Sequence, residues 1–156
     1  MRGFRIAWLA LAVVAAWPAS AQEVPASVAL FYDALTAAPD KDVPGLLRQA
    51  TAPGWMSCGG NDSCVGREEV IAAVVGRQEA VPNLRWTIRE VLVAGNRVVV
   101  RGEASGTPDG GFLGVPQGIG SFKVMSIDIH TIEDGRIARS YHVEDWFRAV
   151  RQLTGQ

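Results

Sequence analysis

The chain has 156 residues, 48% of them hydrophobic, and its 15 basic and 16 acidic side chains leave a formal net charge of −1. With no basic tract anywhere, the composition argues against nucleic acid and anionic membrane surfaces as partners. Chain length and apolar content suit one domain with its own core.

The first residues read as a targeting segment. Arg2 and Arg5 give a positive start, Ile6 to Ala16 is an unbroken apolar run, and Pro18 precedes the small-residue site Ala19-Ser20-Ala21. This is the pattern of a secretory signal peptide over residues 1–21. The apolar run is well short of the roughly 20 residues that a membrane span requires, which disfavours a retained anchor. The expected mature chain is a single domain over 22–156, periplasmic or secreted, with 13 basic and 16 acidic residues.

Next come helical signals. Val28, Phe31, Tyr32 and Leu35 recur at i, i+3, i+4, i+7, the period of an amphipathic helix. Asp42-Val43-Pro44 reads as a cap with proline early in a short helix carrying Leu46 and Leu47. Cys58 and Cys64 flank Gly59-Gly60-Asn61-Asp62. In an exported protein they are expected to form a disulfide. Two thiols with no histidine nearby make a poor metal site, and the spacing exceeds that of a Cys-x-x-Cys redox pair. Glu68 and Glu69 then open a third helix, where negative charge suits the helix dipole, with Val70, Ile71, Val74 and Val75 as its apolar stripe.

From Leu84 the period changes to two. Leu84, Trp86, Ile88 and Leu92 alternate with polar residues, Gly95-Asn96 signals a turn, and residues 97–105 return as a second strand. A connection rich in glycine and proline, GTPDGGFLGVPQGIG, follows. It leads into a strand and lacks the Lys-Ser/Thr pair of a phosphate loop, so it reads as a plain loop or as the rim of a pocket. Residues 122–133 and 136–146 form a hairpin about Asp134-Gly135, and the tail RAVRQLTGQ is a short helical or frayed end. Helices segregated ahead of an antiparallel sheet imply an α+β domain. One helical layer covers one side of such a sheet, so a homodimer through the other side is expected.

The final hairpin, SIDIHTIEDGRIARSYHVEDW, holds both histidines and a concentration of carboxylates. With strict alternation about a two-residue turn, Asp128 falls opposite Tyr141, His130 opposite Arg139 and His142 opposite Ile127. That puts Asp128 and His142 on different faces, though a slip of one residue would reverse one strand. Asp128 interrupts the apolar run MSIDI in mid-strand, where aspartate is disfavoured. In an apolar cavity its pKa would rise, suiting it to acid/base work on a carbon acid. The competing reading is an exposed aspartate on the outer face, paired with an arginine. His130 is expected at the surface beside Arg139, and His142 either orients a substrate or is a satisfied core residue. No nucleophile elbow, His-Glu-x-x-His or dinucleotide fingerprint is present, so a nucleophilic triad is not expected; the two histidines fall on opposite faces, so no metal is expected either.

The motifs GEASGTPDGGFLGVP, SIDIHTIEDGRI and YHVEDW resemble those of the SnoaL-like polyketide cyclases, also called ester cyclases. That family lies within the nuclear-transport-factor-2-like superfamily, beside ketosteroid isomerase and scytalone dehydratase, and the resemblance runs from the helix at Val28 to Trp146. It implies a cone in which three N-terminal helices pack on a strongly curved, mainly antiparallel sheet around an apolar pocket. It implies cofactor-free acid/base catalysis, with Asp128 in the place of the aspartate that takes and returns a proton during ring closure. Two departures stand out. The family loop continues Pro-x-Thr-Gly-Lys/Arg, whereas here Gly118, Ile119 and Gly120 occupy the last three places. The signal peptide also points to a substrate other than an intracellular polyketide. Two functions follow. One is an exported cyclase, isomerase or lyase using Asp128 on a small apolar substrate, with His142, Tyr141, Trp86 and Phe112 as binding residues. The other is a non-catalytic module that holds a small ligand or a protein partner in the same fold.

Overall fold

The computed structural model describes residues 23–116 and 120–156. The expected signal peptide, and Gly118 and Ile119 of the divergent loop, lie outside the described residues. Among the described residues, four helices, α1 (Ala26–Leu35), α2 (Val43–Ala50), α3 (Arg67–Ala80) and α4 (Trp146–Thr154), accompany six strands. The strands are β1 (Thr51–Cys58), β2 (Cys64–Gly66), β3 (Arg85–Ala94), β4 (Arg97–Gly106), β5 (Phe122–Glu133) and β6 (Arg136–Glu144). They form one sheet in the order β2-β1-β6-β5-β4-β3. Only the β1–β6 pair is parallel, so the α+β sheet is mixed but mainly antiparallel.

The helices form where the apolar periodicity places them. Val28, Phe31, Tyr32 and Leu35 of α1 are all buried. Asp42 caps α2 by accepting from the Gly45 amide at 2.9 Å, with Pro44 in the first turn. In α3, Ile71 and Val74 enter the core while Glu68 and Glu69 occupy its N-terminal turn. The tail is a true helix, capped by Asp145 and anchored by Ala149 and Leu153. None of the helices among the described residues is long and apolar enough to cross a membrane.

The expected division into helices followed by strands needs correction, because β1 and β2 intervene between α2 and α3. Strand β1 carries Pro53 and Gly54, residues disfavoured in strand interiors. The pairing of β1 with β6 does shift register between Thr51 and Met56, an irregularity that tolerates a proline with no amide to donate. Cys58 and Cys64 are Cα partners across β1 and β2 and are joined by a disulfide. Beyond the irregularity, β1 runs along β6 and buries Trp55, whose indole donates to Ser140 Oγ at 2.9 Å.

The 5–6 hairpin turns at Asp134 and Gly135, both with positive φ, as a tight two-residue turn requires. Its ladder then shifts: Thr131 pairs with Arg139 but Ile132 with Ile137. Ala138 is the unmatched residue of a β-bulge, so Ile137 and Ser140 are both buried despite their odd spacing. The expected strict register is thereby overturned. Asp128 pairs with His142, and His130 with Ser140. His130, expected at the surface, is fully buried beneath Phe31 and Tyr32.

Candidate active site

Asp128 lies on the helix-covered face of β5, together with Phe122, Val124, Ser126 and His130. Its side chain is 4% exposed, so the reading of an outer-face aspartate paired with arginine does not hold. The Tyr32 hydroxyl, brought over from α1, donates to Asp128 Oδ2 at 2.5 Å. Space for that contact comes from Gly102 on β4: a Cβ there would stand 2.5 Å from Ser126 Oγ and 3.3 Å from the Tyr32 ring.

A cavity of about 170 Å³ opens beside this pair. Asp128, His142 and Glu144 line it from the sheet, with Trp86 on β3 and Phe31 on α1. From α3 come Val70, Ala73, Val74 and Arg77, one helical stripe at i, i+3, i+4, i+7. Glu69 stands at its exposed edge. Trp86 is backed by an aromatic cluster: Trp146 meets Trp86 at 6.4 Å, Phe122 at 5.9 Å and Phe112 at 6.1 Å.

Burial pushes the Asp128 carboxyl up to about 6, against the opposing effect of the Tyr32 hydrogen bond; the Glu144 charge adds to the rise and His142 reduces it. A carboxylate with that pKa is ionised at neutral pH yet readily reprotonated. Burial likewise raises Tyr32, with Asp128 contributing, so the phenol remains a donor. Across the ladder, His142 Nδ1 meets Glu144 Oε1 at 3.0 Å, and this contact raises the imidazole above its ordinary value despite burial. Glu144 is held in turn by the Trp146 indole at 3.2 Å. With Nδ1 engaged, His142 presents Nε2 toward Gly59 of the disulfide loop, where a Cβ would lie 3.9 Å away. His130 plays a different part. Its Nδ1 contacts Ser140 Oγ at 2.8 Å, and burial lowers its pKa to about 4, keeping the ring neutral inside the core.

Thus three residues singled out in the sequence, Asp128, His142 and Trp86, come together at this cavity. Tyr141 and Phe112 do not. Tyr141 pairs with Ile129 on the opposite face of the sheet and borders a shallow cleft beside the disulfide. Phe112 stacks on Phe122 at 5.5 Å within the aromatic cluster, behind the cavity wall. Tyr32, Glu144 and Arg77 were missed. Tyr32 belongs to the apolar stripe of α1, and no motif in the sequence singles out Arg77.

The model of the SnoaL-like polyketide cyclase family matches residues 26–153. A putative SnoaL-like polyketide cyclase from Jannaschia sp. CCS1 is 27% identical and superimposes with a TM-score of 0.72, covering 83% of this chain and 90% of its own. TsrD from Streptomyces laurentii is 29% identical with a TM-score of 0.70, over 86% of this chain and 100% of its own. A Catenulispora acidiphila protein described as having a ketosteroid isomerase-like fold is 16% identical with a TM-score of 0.69, covering 85% and 95%; that likeness concerns the fold alone. No match is found among curated proteins.

Proposed function

The chain belongs to the SnoaL-like polyketide cyclase family, and from that premise we propose that it is a cofactor-free acid/base enzyme acting on a small, largely apolar carbon acid. Cyclisation is the first expectation, with isomerisation or dehydration using the same proton transfers. The observation that carries this reading is Asp128, buried at the wall of a cavity with a pKa of about 6 and with one oxygen held by Tyr32. A non-catalytic binding module has no use for a proton carrier so tuned, and a raised carboxyl in a cleft is a mark of catalytic sites.

The proposed chemistry follows from which atoms are engaged. Tyr32 occupies Oδ2, leaving Oδ1 as the base. In the ionised state Asp128 takes a proton from the carbon next to a substrate carbonyl. The C–H electron pair moves into that carbonyl as an enolate, and Asp128 becomes a neutral acid. The enolate carbon attacks a second carbonyl of the same molecule, and the acid returns its proton to the resulting alkoxide. His142, whose pKa the Glu144 contact raises, lines the cavity beside Asp128, and in its protonated form it offsets the negative charge that develops on the substrate. Negative charge moves from Asp128 to the substrate, so the cavity as a whole need not separate new charge.

The disulfide supports an oxidising compartment, and the N-terminal pattern supports export. The substrate is then a compound met outside the cytoplasm. Mass spectrometry of small molecules retained by the purified protein would identify its class. Turnover of that compound by wild type, with a loss of about 10²–10⁴ in rate for Asp128→Asn, is the expected result. An unchanged rate in the mutant would overturn the catalytic reading, and return of the compound unaltered by wild type would favour a binding module.

A further inference from the structure

Arg77 has no part in the chemistry above, yet it lines the same cavity. It is half-buried, at the end of the α3 stripe made by Val70, Ala73 and Val74. Among the described residues its guanidinium has no hydrogen-bond acceptor and no ion pair within 4.0 Å. What it has is the face of Trp146, 5.5 Å from the guanidinium carbon. Its charged neighbours are Glu144 and His142. Glu144, however, is already committed to the His142 ring and the Trp146 indole. Burial works against the Arg77 charge and lowers its pKa.

A guanidinium offers a planar fork of donors matched to carboxylate oxygens. Placed over the Trp146 ring and without a protein acceptor among the described residues, that fork is available to a ligand in the cavity. Among the described residues, Asp128, Glu144 and Glu69 are the carboxylates that line the cavity, and Arg77 is the one arginine or lysine on its wall. Arg77 lines the cavity from α3 and Asp128 from β5. The volume, about 170 Å³, is close to the ~150 Å³ that holds one benzene-sized ring.

We propose that Arg77 is a specificity residue that binds a carboxylate of the substrate, so that the ligand is a one-ring or ring-forming keto acid spanning from Arg77 to Asp128. This rests on the reading of the cavity as the substrate site. Glu69 lines the same cavity at its solvent-exposed edge.

The probes are 3-phenylpropionate and its uncharged methyl ester, titrated calorimetrically into the full mature chain at pH 7.5. Wild type should bind the acid about tenfold more tightly than the ester, as charge-assisted hydrogen bonds provide. Arg77→Gln should lose that preference while its affinity for the ester stays the same, and Arg77→Lys should retain part of it. Asp128→Asn should keep the preference, so failure of the proton chemistry and failure of carboxylate recognition read separately. Equal binding of acid and ester by wild type, an undiminished preference in Arg77→Gln, or no binding of either probe at millimolar concentration would each overturn the assignment.

Discussion

The tuned pKa of Asp128 makes a stability prediction that needs no substrate. In the folded protein the carboxyl titrates at about 6, whereas in the unfolded chain it should titrate near ~3.9. Below both values the group is protonated in each state and contributes nothing. As pH rises between them the unfolded chain releases its proton first, so stability falls, and the loss is complete above the folded value. Two units at about 1.4 kcal/mol each give a penalty of about 3 kcal/mol at pH 8. Asp128→Asn keeps the shape and an acceptor for Tyr32 but cannot ionise. Urea melts of mutant and wild type near pH 4 and pH 8 should therefore show the mutant gaining about 2–3 kcal/mol on wild type between the two. His130 and His142 titrate in both proteins and cancel, to first order, in the difference. A mutant that instead loses ground at the higher pH would mean that Asp128 is a stabilising ionised carboxylate. The proton-carrier argument would then be abandoned.

Other perturbations test other parts of the structure. Replacing both Cys58 and Cys64 by serine should cost about 2 kcal/mol, the loop-closure value for so short a loop; thiol labelling that finds two reactive cysteines in the native protein would contradict the bond. Gly102→Ala forces a methyl against Ser126 Oγ and the Tyr32 ring, so it should destabilise by about 1–3 kcal/mol and reduce turnover. Gly76→Ala, with nothing within 4 Å of the new methyl, should raise the melting temperature through a helix-propensity gain of about 1 kcal/mol. On the outer sheet face Leu92, Met125 and Val143 are more than half exposed, and light scattering at micromolar concentration should find a homodimer; a monomer there would dispose of that expectation.

Much of the fold was readable because its local signals agree with one another. The α1 stripe, the Asp42 cap, the acidic first turn of α3 and the Asp134-Gly135 turn each appear where the residues alone put them. What resisted reading was non-local. Strand β1 is held by a parallel partner, β6, some 80 residues further along the chain, and its own sequence, TAPGWMSC, carries a proline and a glycine where strand propensity calls for neither. Burial of Trp55 and its bond to Ser140 override those local preferences, and neither partner is visible from the other. Tyr32 shows the same limit at the site. Helical period correctly turns it inward, but only the packing of α1 over β5 turns a core aromatic into the donor that holds Asp128.

The site itself turns on a single residue. Side chains alternate strictly along a strand, so an unbroken 5–6 hairpin would point Ile137, Arg139, Tyr141 and Val143 to one face, and Ser140, His142 and Glu144 to the other. Ile137 is fully buried and belongs to the core; without a correction it would have carried Tyr141 inward and sent His142 and Glu144 out. The extra residue Ala138 absorbs one step of the alternation. Ile137 can then fill the core at one end of β6 while Ser140, His142 and Glu144 face the cavity at the other. Bulges re-aim side chains in this way next to active sites. Nothing in the composition of RIARSYHVE announces it, because alanine fits a regular strand as well as a bulge. A reader of the sequence sees a histidine and an aspartate on opposite faces. The fold, by spending one alanine out of register, sets them side by side.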